Sequence, residues 1–158
     1  MLLFVQRCGV GLSPEIKLTS EQLGLMSIFQ NVTNVSSRDC IIDKAANRII
    51  FVIDKQFMGL AIGKKGQTIA NLENVLARPV ELVEYSDDPK EFIRNALGSR
   101  NVIDVKVNEK ADGSRVAIVN VSAKSKGAVL GRGGRNAERA RLLAARYFGI
   151  QHIHIVTQ

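Results

Sequence analysis

Two stretches of the chain carry the same succession of hydrophobic and polar positions. Each opens with apolar residues at helical spacing: Leu23, Met26 and Phe29 in the first, Phe92, Ile93 and Leu97 in the second. Start signals precede both. Thr19 with Gln22 makes a capping box, and Asp88, Pro89 and Glu91 make another. Strand-like runs follow at 40–43 and 48–54 around a short polar turn, and at 102–108 and Arg115–Val121 around a turn holding Asp112 and Gly113. Ile103, Val105 and Val107 alternate with Asp104, Lys106 and Asn108, which predicts three inward side chains on a sheet with one wet face. An amphipathic helix comes next in each stretch, through Ile69, Leu72 and Leu76 and through Ala137, Ala140, Leu143 and Tyr147. Pro79 and Gly149 stop these helices ahead of last strands at 80–85 and 152–156.

The predicted order is helix, strand, strand, helix, helix, strand, twice over. This is an α/β chain of the α+β kind, with two units at 15–86 and 87–158, each a three-stranded sheet covered by helices. Residues 1–14 match neither unit and are read as a flexible N-terminal extension.

Between the second strand and the amphipathic helix lies a glycine motif. Gly59, Gly63 and Gly66 in the first unit, and Gly127, Gly131 and Gly134 in the second, share the spacing GxxxGxxG at an offset of 68 residues. At a glycine frequency of about 7%, one such match arises by chance in roughly one chain in twenty of this length. Two with similar flanks indicate a duplication. A GxxG bend between helices admits positive φ and turns loop amides and the next helix N-terminus outward, a setting that attracts phosphate. Lys64, Lys65 and Arg132 add mobile charge beside it. Arg135 and Arg139 stand in the first turns of the second helix, where cations meet its dipole unfavourably. With Arg146 they form a basic stripe that calls for an outside anion. Ile62, Ile69, Val129 and Leu130, beside the bends, suit either an apolar floor under bases or the core.

Other phosphate motifs fail on their key residues. Gly59 to Lys64 is one residue short of a P-loop, with Lys65 where Ser or Thr should hold magnesium, and Asn136 replaces the third glycine of a dinucleotide fingerprint.

Charge sharpens the contrast between the units. The net charge is +7, but residues 15–87 hold 8 basic and 9 acidic residues, against 13 and 6 in 88–158. A polyanion should therefore feel the second unit more strongly. Aromatic residues make up 5% of the chain and Trp is absent, which argues against base stacking on aromatic platforms as the main mode. Cys8 and Cys40 are too far apart for a CxxC site and are read as plain thiols. His152 and His154 share a strand face without clustered acids or thiols, so no metal site is expected, and no cofactor. No catalytic arrangement of Ser, Cys, His and acid is evident, and the chain is read as a non-enzyme. No apolar run reaches the roughly 20 residues of a membrane span, and Arg7 follows the apolar start instead of preceding it, the reverse of a secretory signal. A cytoplasmic protein is expected.

The loops at 62–66 (IGKKG) and 130–134 (LGRGG) resemble the GxxG signature of KH domains, and the element order resembles the type II arrangement. Segments 38–43 (RDCIID), 58–66 (MGLAIGKKG) and 83–89 (VEYSDDP) are similar to archaeal NusA-type transcription factors, over about residue 16 to the C-terminus. That resemblance implies two tandem KH domains alone, without the polymerase-binding and S1 domains of bacterial NusA. It implies single-stranded RNA as partner and a role in transcription elongation, termination or antitermination, with RNA polymerase as a further partner and a monomer as the expected state. A ribosome-associated or RNA-processing KH protein is the alternative. By position, the RNA-binding residues would be Gly63, Lys64, Lys65 and Gly66, then Gly131, Arg132, Gly133 and Gly134, with Arg135 and Arg139 from the basic stripe. Gly133 departs from the pattern and is expected to loosen the second loop.

Overall fold

A computed structural model describes residues 3–5, 16–98 and 101–157, apart from the side chains of 3–5 and 16. Strand β1 (Leu3–Val5) pairs with β2 (Ile16–Leu18), while the rest of the expected extension at 1–14, Cys8 included, lies outside the described residues. Beyond these strands the chain divides into two compact units, one ending at Tyr85 and one beginning at Ser86.

In the first unit, helix α1 (Ser20–Thr33) starts at the expected capping box: the Gln22 amide donates to Thr19 Oγ1 at 3.2 Å, and the Thr19 amide donates to Gln22 Oε1 at 2.9 Å. Strands β3 (Asp39–Asp43) and β4 (Arg48–Ile53) form an antiparallel hairpin. Helices α2 (Met58–Ile62) and α3 (Gln67–Leu76) then carry the chain over to β5 (Val80–Glu84), which pairs parallel to β4. Phe29 of α1 stacks on Phe51 of β4 at 4.4 Å between centroids, and Cys40, Ile49, Ile53, Ala61, Leu72 and Val80 complete a buried cluster, with Ile69 and Leu76 packed against it. Helix α3 stops at Leu76, three residues before Pro79, through Ala77 in the left-handed region at φ 56°.

The second unit repeats the plan. Helix α4 (Pro89–Leu97) is followed by β6 (Val102–Glu109), β7 (Arg115–Val121), α5 (Lys126–Leu130), α6 (Arg135–Phe148) and β8 (Ile150–Thr157), with β7 central, antiparallel to β6 and parallel to β8. Asp88 caps α4 by accepting from the Lys90 amide at 3.1 Å, not from the amide of Glu91 as a capping box would. Gly149, at φ 66°, ends α6 as expected. The ring of Phe92 meets Tyr147 and Phe148 edge-on at 5.0 and 5.7 Å, so one aromatic trio joins α4 to α6.

The simple alternation expected along β6 is corrected. The register passes from Val102 opposite Val121 to Asp104 opposite Asn120, leaving Ile103 unpaired at a bulge. An extra residue at a bulge throws the following side chains out of phase. Val102 and Val105 are therefore the buried pair, and Ile103 is half exposed.

A buried ion cluster in the first unit carried no sequence signal. Arg48, whose side chain is fully buried, donates from Nε to Asp43 Oδ2 at 2.8 Å and from Nη1 to both Glu81 oxygens at 3.1 Å. Burial pushes the Asp43 carboxyl up. The hydrogen bond and charge of Arg48, with the amides of Ala46 and Ala45, outweigh that and hold it below the usual carboxylate range. Cys40 is a buried free thiol.

Candidate nucleic-acid interface

The two glycine bends follow one backbone path. Helix α2 ends where the Gly63 amide donates to the Gly59 carbonyl at 3.0 Å, and α5 ends where Gly131 donates to Gly127 at 3.0 Å. Gly63 lies at φ 77°, ψ 174° and Gly131 at φ 77°, ψ 172°. A single 3₁₀ turn follows in each case, Lys64–Gly66 and Arg132–Gly134, closed by the Gly66 amide on Gly63 at 3.2 Å and the Gly134 amide on Gly131 at 3.1 Å. Gly66 and Gly134, at φ 73° and 75°, then open α3 and α6.

Steric demand explains the first glycine of each bend. A Cβ on Gly63 would sit 2.1 Å from Thr68 Oγ1 and 2.8 Å from the Thr68 amide nitrogen, and one on Gly131 would sit 2.8 Å from Asn136 Cγ. On this backbone a side chain at either position forces its neighbour to move. Asn136 also donates from Nδ2 to the Ala128 carbonyl at 3.3 Å, tying α6 back to α5.

At the third position the two bends keep one conformation although the residues differ. Lys65 stands at φ 56°, ψ 28° and Gly133 at φ 65°, ψ 19°, so the bend demands the left-handed region in both units. Glycine meets that demand freely, whereas a lysine there is strained by about 1–2 kcal/mol.

Neither α3 nor α6 has a side-chain cap on its first turn, so that turn presents its amides and dipole to the loop. Lys64, Lys65, Arg132 and Arg135 are all exposed around these amides. Arg139, one turn further along α6, is half-buried, and its Nε donates to the Ala96 carbonyl at 2.8 Å, closing the C-terminal end of α4. Arg141, further along the same helix, is ion-paired with Glu138. Among the residues left open between floor and core, Val129 is buried and Ile69 packs on the core, whereas Ile62 is exposed.

Two features escaped the sequence reading. Phe57 and Leu60, just ahead of the first bend, are exposed along with Ile62. Arg38 pairs with Asp54 at 2.6 Å and lies 3.9 Å above the Tyr85 ring, so residues from two of the family-like segments meet at one end of the first sheet. His152 and His154 are exposed with rings 6.3 Å apart, and among the described residues no group of three or more His, Cys, Asp or Glu could hold a metal ion. Among the same residues no helix is long and apolar enough to cross a membrane.

Comparison with known proteins agrees with this architecture. The KH domain family model matches residues 25–111. The chain is 36% identical to the probable transcription termination protein NusA of Halobacterium salinarum, over 89% of this chain and 98% of that one. It is 31% identical to the protein of the same name from Methanocaldococcus jannaschii, over 91% and 77% of the two chains. Similarity to the transcription termination/antitermination protein NusA of Bacillus subtilis, 33% identical, covers 54% of this chain and 23% of that one. A solved crystal structure, that of APE1850, matches with a TM-score of 0.81 and 34% identity, over 88% of this chain and all of that one. With tandem GxxG bends on two repeated α+β units, the chain belongs to the archaeal NusA-type family of KH-domain proteins.

Proposed function

We propose that this protein binds single-stranded RNA through its two GxxG loops and acts in transcription termination or antitermination. Each unit serves as one KH domain, bounded at 15–86 and 87–158. The observation that carries this reading is the shared path of the two bends, each with uncapped helix amides and exposed cations on one side. A sugar-phosphate chain suits such a surface, because amides and lysine or arginine heads bind phosphate oxygens without regard to base. Gly63 to Gly66 and Gly131 to Gly134 form the two clamps, with Lys64, Lys65, Arg132 and Arg135 supplying charge. Arg139 supports the second clamp from behind through α4. The protein is non-catalytic, works in the cytoplasm and meets RNA polymerase while holding the nascent transcript.

Titration of labelled single-stranded RNA against the intact chain tests the reading. Lys64→Asp/Lys65→Asp and Arg132→Asp/Gly133→Asp each place acids in a clamp while sparing the sterically required Gly63 and Gly131. Each pair should weaken binding at least tenfold, and wild-type affinity should fall steeply as salt rises. Unchanged affinity in both variants would remove the loops from consideration. Co-purification of polymerase subunits, and not ribosomal ones, is the corresponding expectation for the transcriptional role.

A further inference from the structure

We propose that the two clamps divide the work of recognition: the first unit reads unpaired bases through an exposed apolar strip, and the second holds the phosphate chain by charge. This rests on the loop reading above and adds to it where sequence preference and salt dependence reside.

Equivalent positions, 68 residues apart, make the case. Phe57, Leu60 and Ile62 are 36%, 55% and 38% exposed and run straight into the first bend. Their counterparts in the second unit are Ser125, Ala128 and Leu130, so the ring and the leucine give way to small side chains and only Leu130 matches its partner Ile62. Charge is distributed the other way. From the bend through the helix that follows, 64–76 hold two lysines and one glutamate, whereas 132–144 hold four arginines and one glutamate. Gln67 and Asn71 stand where Arg135 and Arg139 do.

Ala61 and Met58 anchor α2 to the core, so the strip is carried on a fixed element and not on a mobile loop. A Phe ring three residues before Leu60 lies on the same side of the turn and offers a face on which a base can stack. The occupant must offer an apolar, flat group together with a phosphate-sized anion, since exposed Lys64 and Lys65 follow Ile62 within three residues. An unpaired nucleotide has both in one residue.

The test compares the intact chain on a short single-stranded RNA and on the same ribose-phosphate chain lacking bases. Phe57→Ser with Leu60→Ala, which copies the second unit at these exposed positions, should weaken RNA binding about tenfold. Binding of the abasic strand and the salt slope should not change. Arg132→Ala with Arg135→Ala should weaken both strands alike and lower the slope of log K against log salt by about 0.7 for each phosphate no longer neutralised. If the Phe57/Leu60 variant binds RNA like the unmodified chain, as it would were the strip a protein-docking surface, or weakens both strands equally, the division is overturned. Absence of RNA binding by the unmodified chain would instead overturn the reading of the loops, and this inference with it.

Discussion

At the third place of the first bend stands Lys65, at φ 56°; at the same place of the second stands Gly133, at φ 65°. The backbones agree although the residues differ in every respect that matters for propensity. The bend is therefore imposed by its two framing glycines and by the close approach of Thr68 or Asn136, not by the residue between. That residue is left available for chemistry, and the first unit uses it to hold a cation in a strained conformation. The second unit has moved its charge onto the helix behind. The starts of the central strands differ in the same way. Arg48 is sealed in an ion cluster with Asp43 and Glu81, whereas Arg115 donates to the Phe148 carbonyl at 3.2 Å, closing the end of α6.

The sharpest way to break this comparison is at those two arginines. Arg48→Ala strands the buried Asp43 and the partly buried Glu81 carboxylates and should destabilise the first unit by about 3–5 kcal/mol. Arg115→Ala loses one charged hydrogen bond, about 1.5 kcal/mol. Urea unfolding followed by near-ultraviolet dichroism separates them, since each unit holds one tyrosine, Tyr85 and Tyr147. Equal losses would mean that the ion cluster adds nothing special.

Next in size are the framing glycines. Gly63→Ala should cost about 2–3 kcal/mol and Gly131→Ala somewhat less, because the Gly63 Cβ meets a threonine backbone nitrogen closely while the Gly131 Cβ meets mainly the Asn136 side chain. Adding Thr68→Ala to Gly63→Ala should restore part of the loss in the same unfolding assay, but not the part due to positive φ.

Acid acts on each unit through one carboxyl: Asp43 in the first and, in the second, the exposed Asp112, which hydrogen bonds from Ser114 hold below the usual range. The Asp43 carboxyl is held below its ordinary 3.8 in the folded chain. Its contribution is present in full above about pH 4 and disappears as pH falls through the lowered folded-state value. The first unit should thus lose stability over that acid range, and Asp43→Asn should flatten the dependence, as followed by unfolding at stepped pH.

The smallest effect is the most direct exchange. Lys65→Gly should stabilise the first unit by about 1 kcal/mol, and Gly133→Lys should destabilise the second by a similar amount. Lys65→Gly should at the same time weaken RNA binding, which would identify the lysine's task.

Much of this protein was legible before any coordinates. The repeat, the capping box at Thr19, the order of elements, the stop at Gly149 and the spacing of the bends depend on residues near one another in sequence, so local rules suffice for them. Positive φ at Gly66 and Gly134 is of the same kind. Other features depend on what distant segments bring together. The bulge at Ile103 follows from the pairing with β7, and the burial of Arg48 from carboxylates 5 and 33 residues away. Arg139 illustrates the limit: its position on the helix placed it among the anion-binding residues, yet a carbonyl 43 residues back takes its Nε. Helical periodicity states which residues share a face, but only packing decides which neighbour that face meets, because the free energy of a buried polar group depends on partners that no local pattern names.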